Sequence, residues 1–575
     1  MSAHASSGAE GTAARRPEAI GDGFRDDACR ARHGGTRAAV PPLVLRAFAL
    51  FRSRRRGLTG RDRRRRIALA LVLCALPLPA SAASPFDAPF DDVIARYHLP
   101  GLALGVIEDG RVVYVRTAGE LVAGSGRKVT PRTLFKIASN SKAMTAGVLA
   151  RLVDAGKLHW DDAVTKYLPR FRMYDPWVTR NMQVRDLLVH DSGLPEGGGD
   201  LMLWPEPNGF TRDDILAGLA HIKPAYSFRS GYAYDNLLYV VAGEVAAAAG
   251  GASYEDLVRR EVFDPLGLQC RVGEWRGAEV ADVAQPHMRE RGRNIVLGAD
   301  PAVVPRITSA AAGGIRCGLE DMLAWAHTWL APDARQQAWL SASQRHAVWE
   351  PHTPMPISRR RREWDHTHYY AYAYGWRVAD VDGAWTVSHT GTLSGMYSEL
   401  MLLPDRRSGF VLLTNGDGSE ARVVLAEVLL KHFTAPSDPR TVAGYAADLA
   451  RDAAAPARSR APDTATRQPA APAALRGRLG VWRDPWFGEV SICARSGRVH
   501  FAAAKSPLLA GTVMRVGERW LVDWDAVAVD AEAWLDFGGA QHAVAQTLKM
   551  AKVDPDADFS FDYEDLAFTR ERDCD

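Results

Sequence analysis

The sequence predicts an α+β fold: one antiparallel sheet closed by strands from both ends of a mostly helical domain, followed by a small all-β unit. Three observations carry this reading. From Gly101, Leu-Ala-Leu-Gly-Val-Ile-Glu-Asp-Gly-Arg-Val-Val-Tyr-Val forms two β-rich runs joined at Asp109-Gly110, a strong hairpin signal. Far downstream, Trp385–Gly391, Tyr397–Leu403 and Gly409–Asn415 again read as strands, with helical patterns such as Asp214–Leu219 and Leu237–Ala248 between the two sets. Beyond residue 475, short strands run from Leu479-Gly-Val-Trp-Arg-Asp-Pro-Trp-Phe-Gly488 to Asp558-Phe-Ser-Phe-Asp-Tyr-Glu-Asp-Leu566. Phe559, Phe561 and Tyr563 alternate at period two, so this end too is expected to be β, and about a hundred residues of short strands suit a small barrel or sandwich.

At 575 residues the chain calls for two or three domains. Its net charge of +3 is misleading, because residues 1–66 hold 16 Arg, no Lys and 6 acidic residues, a surplus of ten that leaves −7 on the rest. Without that segment the argument for a nucleic-acid partner disappears. The segment ends as an export leader would. Arg61–Arg66 is a basic run, Ile67–Leu78 an apolar one, and Ala80-Ser-Ala82 a small-residue cleavage site, so residues 58–82 are expected to be a signal peptide cut after Ala82. The apolar run is short and carries Pro77 and Pro79, so no stable membrane span is expected after cleavage. Residues 1–57 lack periodicity and are expected to be a disordered, spurious extension, and a periplasmic or secreted destination follows. Four cysteines lie after the cleavage site, Cys270, Cys317, Cys493 and Cys574. They allow three pairings, with free thiols equally open, and their spacing matches no zinc site.

The expected domains are 83–435, an Ala/Pro-rich linker over 436–475 such as Ala453-Ala-Ala-Pro-Ala-Arg-Ser-Arg-Ala-Pro462, and 476–575. Within the first, Leu134-Phe-Lys-Ile-Ala-Ser-Asn-Ser-Lys-Ala-Met-Thr-Ala146 holds Ser139 and Lys142 as S-x-x-K at the first turn of a predicted helix that stops near Gly156. Residues three apart share a helix face, so hydroxyl and amine can meet, and a buried lysine can be neutral enough to take the serine proton. Tyr234-Asp-Asn236 places a phenol and an amide two residues apart, for general acid–base work and for orienting a substrate. His389-Thr-Gly391 lies on a strand-like run. Gly391 permits close approach of substrate backbone, and the Thr392 N–H can pair with that of Ser139 as an oxyanion hole.

S-x-x-K, Y-x-N and H-T-G in that order resemble the penicillin-recognising serine hydrolases: class C β-lactamases, DD-peptidases, D-aminopeptidases and related esterases. The likeness extends to Leu187-Leu-Val-His-Asp-Ser-Gly-Leu194, Ala312-Gly-Gly314 and Tyr374-Gly-Trp376, over roughly residues 85–435. It implies an antiparallel sheet flanked by helices plus a helical subdomain, with the C-terminal region similar to a small barrel-like domain often appended to such hydrolases. It also implies Ser139 as acylated nucleophile, Lys142 and Tyr234 sharing the proton work, and Asn236, His389, Thr390, Gly391 and Thr392 at the substrate. His389 stands where β-lactamases usually have Lys, which points away from a dedicated β-lactamase and toward peptidases or esterases; peptide amides, particularly with D-residues, are the first expected substrate, esters the second and β-lactams the third. No metal or cofactor is expected, and the partner is a small peptide or ester substrate. A catalytically idle cell-wall or ligand-binding protein is the rival reading.

Other candidates have plainer readings. His190 is expected to stabilise the turn before Gly193, and His366-Thr-His368 to form a rim loop. Asp554, Asp556 and Asp558 imitate the start of a calcium loop, but Phe559 stands where the loop needs Gly and Asp565 where it needs Glu. The Trp and Phe residues of the C-terminal region are expected in its core.

Overall fold

The eight-stranded sheet of the first domain is sewn together by its own chain ends. The computed structural model describes residues 83–276, 282–298, 303–416, 418–454, 461–539 and 544–574, and the expected leader and N-terminal extension lie outside them. Strands β1 (Gly101–Glu108) and β2 (Arg111–Gly119) form the predicted hairpin, turning at Asp109 and Gly110 with φ of 46° and 73°. That pair of left-handed residues is what an Asp-Gly turn supplies most readily. The remaining strands are β3 (Thr353–Pro354), β4 (Tyr370–Tyr372), β5 (Arg377–Val381), β6 (Ala384–Leu393), β7 (Met396–Leu403) and β8 (Ser408–Thr414). Their order is β2-β1-β8-β7-β6-β5-β4-β3, every pair antiparallel, with Leu102 opposite Thr414 and Ile107 opposite Gly409.

Alternation along these strands buries both faces. Leu102, Leu104, Val106, Phe410 and Leu412 meet Phe90 and Val93 of α1 (Asp87–Tyr97), then Leu425 and Leu429 of α5 (Ser419–Thr434) and Tyr445 of α6 (Val442–Ala454). Ala103, Ile107, Val411 and Leu413 face the opposite way, toward α2 (Ser141–Asp154), α3 (Leu237–Gly250) and α4 (Leu319–Leu330). Each fully buried aliphatic side chain here is worth about 1.5–3 kcal/mol. Helix α6 begins the stretch expected as a linker, and its Tyr445 and Leu449 are buried against the sheet layer.

The second part is a closed up-and-down barrel. Strands β10 (Gly480–Asp484), β11 (Gly488–Arg495), β12 (Arg498–Ala503), β13 (Ala510–Val516), β14 (Arg519–Trp524), β15 (Ala533–Gly538), β16 (Thr547–Lys552) and β17 (Ala567–Arg572) pair in chain order, and β17 returns to β10. A short β9 (Gln468–Pro469) adds to β13. Closure removes the exposed strand edges. Trp482, Ile492, Phe501, Val513, Leu535, Leu548 and Phe568 fill its core. Among the described residues two disulfides form, Cys270–Cys317 and Cys493–Cys574, the second tying β11 to the residues after β17.

One local expectation is corrected. Phe559–Asp562 is not strand but an irregular turn between β16 and the short 3-10 helix Tyr563–Asp565. Tyr563 is buried in the barrel, whereas Phe559 is half-exposed and reaches the first domain. The alternation arose because this segment serves two different surroundings, not because it is pleated. Among the described residues no single helix is long and apolar enough to cross a membrane.

Candidate active site

Ser139 lies in a 3-10 turn, Ala138–Asn140, that runs directly into α2, two residues ahead of the helix proper. Ala138 holds the left-handed region at φ 48°, so the turn needs firm support. That support comes from the sheet. Ser398 of β7 donates to the Ile137 carbonyl at 2.7 Å and accepts from Asn140 Nδ2 at 2.8 Å. Opposite it, Gly391 of β6 leaves the room the turn occupies, since a Cβ there would stand 2.2 Å from the Ile137 oxygen and 3.1 Å from Ala138 Cβ. The glycine of H-T-G thus lets the sheet touch the nucleophile's own backbone. From the far side, Phe135–Lys136 pairs with Arg316–Cys317, and Cys317 is held by its disulfide to Cys270.

Lys142 is fully buried, and its Nζ reaches Asn236 Oδ1 at 2.7 Å, the Ala312 carbonyl at 2.9 Å and Ser139 Oγ at 3.1 Å. The Ala312-Gly-Gly314 motif therefore contributes a carbonyl that aims the amine. Gly375 of the Tyr374-Gly-Trp376 motif lies close over the Lys142 backbone. Burial pulls the Lys142 pKa down to about 7, against the opposing pull of the Asp200 and Asp235 carboxylates. In its neutral form the amine donates to Asn236 and Ala312 and turns its lone pair toward the Ser139 hydroxyl.

Tyr234 and Asn236 approach the same amine from the start of α3. The Tyr234 ring centroid lies 4.8 Å from Lys142 Nζ, and the phenol is close enough to Ser139 for hydrogen bonding to favour its ionised form. Desolvation outweighs that bond and pushes the Tyr234 pKa upward, so the resting phenol keeps its proton. Behind the ring stands His190, 4.2 Å away between centroids, its Nδ1 accepting the Asp235 N–H at 3.1 Å. Burial lowers the His190 pKa to about 4, so it packs as a neutral ring. Its position is thus behind Y-x-N, in addition to the turn that leads to Gly193.

His389 is buried, and its Nε2 lies 2.8 Å from the Tyr372 hydroxyl. Burial drives its pKa well below the usual value, and the neighbouring Arg377 and Lys142 add to the effect. Two cations flank H-T-G: Arg377, which follows Tyr374-Gly-Trp376 and donates to Thr390 Oγ1 at 2.7 Å, and Arg422, which donates to the Gly391 carbonyl at 2.8 Å. Arg377 is half-buried, and among the described residues no carboxylate is ion-paired with it at close range, although the buried Glu399 lies near enough to interact with it. Thr392 is exposed at the end of β6, its hydroxyl accepting from Arg422 at 2.9 Å. His366 and His368 lie apart from this cluster, exposed and bonded to Asp382 and Asp380. Among the described residues no group of ligating side chains could hold a metal ion.

Sequence reasoning missed Arg377, Asp200 and Ser560. Asp200 Oδ2 accepts from Asn236 Nδ2 at 2.8 Å and from Ser560 Oγ at 2.8 Å. Arg377 could have been found by its place directly after a recognised motif. Asp200, at the end of Gly197-Gly-Gly, and Ser560 carried no signal of their own.

The sheet, the helical layer and the convergence of serine, lysine and tyrosine define a serine hydrolase that works through an acyl-enzyme. The chain belongs to the Beta-lactamase family, whose profile matches residues 86–435. It is 29% identical to penicillin-binding protein 4 of Amycolatopsis lactamdurans, over 64% of this chain and 97% of that protein. Unguisins hydrolase ungD' of Aspergillus campestris is 27% identical over 61% of this chain, and the match spans 65% of its length, just under two thirds. D-alanyl-D-alanine-carboxypeptidase/endopeptidase AmpH of Escherichia coli is 26% identical over 48% of this chain and 72% of its own. Among solved structures, the octameric penicillin-binding protein homologue from Pyrococcus abyssi shares the fold, at a TM-score of 0.52 and 17% identity, over 84% of this chain and 99% of that one.

Proposed function

We propose that the protein cleaves amide bonds in small peptides that end in a free carboxylate, preferentially between D-residues. The observation that carries this is Arg377, which bonds Thr390 beside the serine and, among the described residues, forms no close ion pair with a carboxylate, the buried Glu399 acting on it only at longer range. A guanidinium in that setting suits a planar carboxylate held bidentately. The resemblance to AmpH, a D-alanyl-D-alanine-carboxypeptidase/endopeptidase, supports the same substrate class.

In the proposed reaction, neutral Lys142 takes the Ser139 proton while Oγ attacks the scissile carbonyl carbon. The oxyanion is met by the N–H groups of Ser139 and Thr392. Tyr234 gives its proton to the leaving nitrogen and is recharged from Lys142, so no net proton is lost as the C–N bond breaks. Water then attacks the ester on Ser139, and the same pair returns the proton to Oγ. Asn236 holds the substrate amide, while His389 lies behind Thr390 and shapes that wall.

The test compares N-acyl-D-Ala-D-Ala with its C-terminal amide, an L-peptide, a p-nitrophenyl ester and nitrocefin, with Ser139→Ala as control. Preference for the free acid supports the reading. Equal turnover of acid and amide removes it, and failure of any probe to label Ser139 favours a binding protein instead. We also propose that the chain works outside the cytoplasm, a reading supported by the two disulfides and the leader-like segment before Ala83. Cell fractionation and N-terminal sequencing of the mature protein test it.

A further inference from the structure

The barrel meets the hydrolase domain close to the reacting groups. Asp562 accepts two backbone N–H bonds from the turn that carries Asp200, from Gly199 at 2.6 Å and Leu201 at 3.0 Å. Two residues earlier, Ser560 donates to Asp200 Oδ2. Next to it, the Phe559 ring lies 5.8 Å from the Tyr234 ring in an edge-on arrangement. The rest of the contact is structural, as with Phe210 against Phe487 at 5.6 Å and Lys505 on Asp214 at 2.6 Å.

These bonds form one unbroken chain across the two domains. Asp200 Oδ2 accepts from both Ser560 and Asn236, which fixes the Asn236 amide with its nitrogen toward Asp200 and its oxygen toward Lys142. A flipped amide would set donor against donor at Lys142 and lose the Asn236 N–H that Asp200 Oδ2 accepts. Among the described residues Asp200 Oδ1 has no hydrogen-bond partner, so the carboxylate is held through Oδ2. We propose that Ser560, carried by the barrel domain, is a positioning residue of the hydrolase site: its hydroxyl holds Asp200, Asp200 orients Asn236, and Asn236 aims Lys142 at Ser139. The inference rests on the reading of Lys142 as the base, and it makes the C-terminal domain part of the catalytic apparatus.

The charge balance gives this a distinctive readout. Lys142 faces Asp200, Asp235 and Arg377, with His190, His389 and the Tyr234 phenol alongside, and Asp200 faces Lys142, Asp235 and Asp562. Burial raises the Asp200 pKa to about 8, and the bonds from Asn236 and Ser560 oppose that rise. Removing the Ser560 donor makes Asp200 neutral over a wider pH range. With Asp200 no longer held, the Asn236 amide oxygen is free to leave Lys142, whose ammonium form loses an acceptor, so its pKa falls.

The experiment uses the full-length chain with Ser560→Ala and Ser560→Thr. Two quantities are followed against pH: the rate of Ser139 acylation by a fluorophosphonate probe, and the Lys142 side-chain NMR titration, assigned with Lys142→Arg. The expected result for Ser560→Ala is an acid limb and a Lys142 titration both moved to lower pH, with kcat reduced several-fold and KM little changed. Ser560→Thr, which keeps the donor, restores both. An Ala variant with thermal stability, Lys142 titration and acylation profile like the parent overturns the proposal. So does a variant that loses stability but keeps its Lys142 titration in place, because that is the mark of a merely structural contact. If the parent is never acylated, the proposed function fails, while the NMR titration still decides whether Ser560 reaches Lys142.

Discussion

Lys142 Nζ lies 3.1 Å from Ser139 Oγ and is held there by two fixed acceptors, the Asn236 amide oxygen and the Ala312 carbonyl. With both acceptors occupied, the third position of the amine is a donor when charged and a lone pair when neutral. Reactivity of the serine therefore follows the protonation of the lysine. The pKa near 7 puts the acid limb of kcat/KM at about that pH, activity rising as pH rises because the neutral amine is the working form. Lys142→Arg, with a guanidinium that stays charged, is expected to lose acylation at every pH. A pH–rate profile measured on both proteins checks this.

Tyr234→Phe keeps the ring packed against His190 and removes only the hydroxyl. Loss of that proton donor is expected to lower kcat by about 10²–10⁴-fold, with thermal stability little changed. Single-turnover kinetics with an amide and an activated ester separate the steps. The ester, whose leaving group needs no proton, should suffer least in acylation.

Arg377→Gln removes the cation beside Thr390. For a substrate with a free carboxylate, kcat/KM is expected to fall about 10–100-fold, the equivalent of about 1.4–2.8 kcal/mol, while the matching amide changes by less than about threefold. Steady-state kinetics on the acid–amide pair measures it.

Gly391→Ala forces a methyl group into the Ile137 oxygen and the Ser398 hydroxyl, both 2.2 Å from the built Cβ. Backbone cannot yield there without moving the nucleophile turn. The expected cost is about 1–3 kcal/mol of stability together with loss of acylation. Denaturant unfolding and probe labelling report the two effects separately.

Cys270→Ala with Cys317→Ala opens a loop spanning 47 residues of sequence beside the Phe135–Lys136 strand pair. Stability is expected to drop by about 2–4 kcal/mol, read from denaturant midpoints without added reductant.

How much of this was legible beforehand depended on how local each signal was. The Asp109-Gly110 hairpin could be seen because the turn chemistry is written in two adjacent letters. The S-x-x-K pair could be seen because three residues of helix bring its members together. The pairing of β1 with β8 was an inference from strands at both ends of the domain, and the register came only with coordinates. Arg377 escaped notice because nothing in its neighbours shows that it lacks a close acidic partner. Ser560 and Asp200 are 360 residues apart, and each has meaning only through the other. Phe559–Tyr563 misled in the opposite sense, since its alternation copies a strand while its residues divide between two domains.

Strands β1 and β8 of the first domain join Gly101 to Thr414 across 313 residues, as in the bond from the Thr414 hydroxyl to the Gly101 carbonyl. A nascent chain leaving the ribosome therefore exposes the hairpin long before its central neighbour has been translated. Such distant pairing slows assembly and leaves an unpartnered edge in the interval. During biosynthesis, that waiting hairpin presents an unpaired edge that a chaperone would shield.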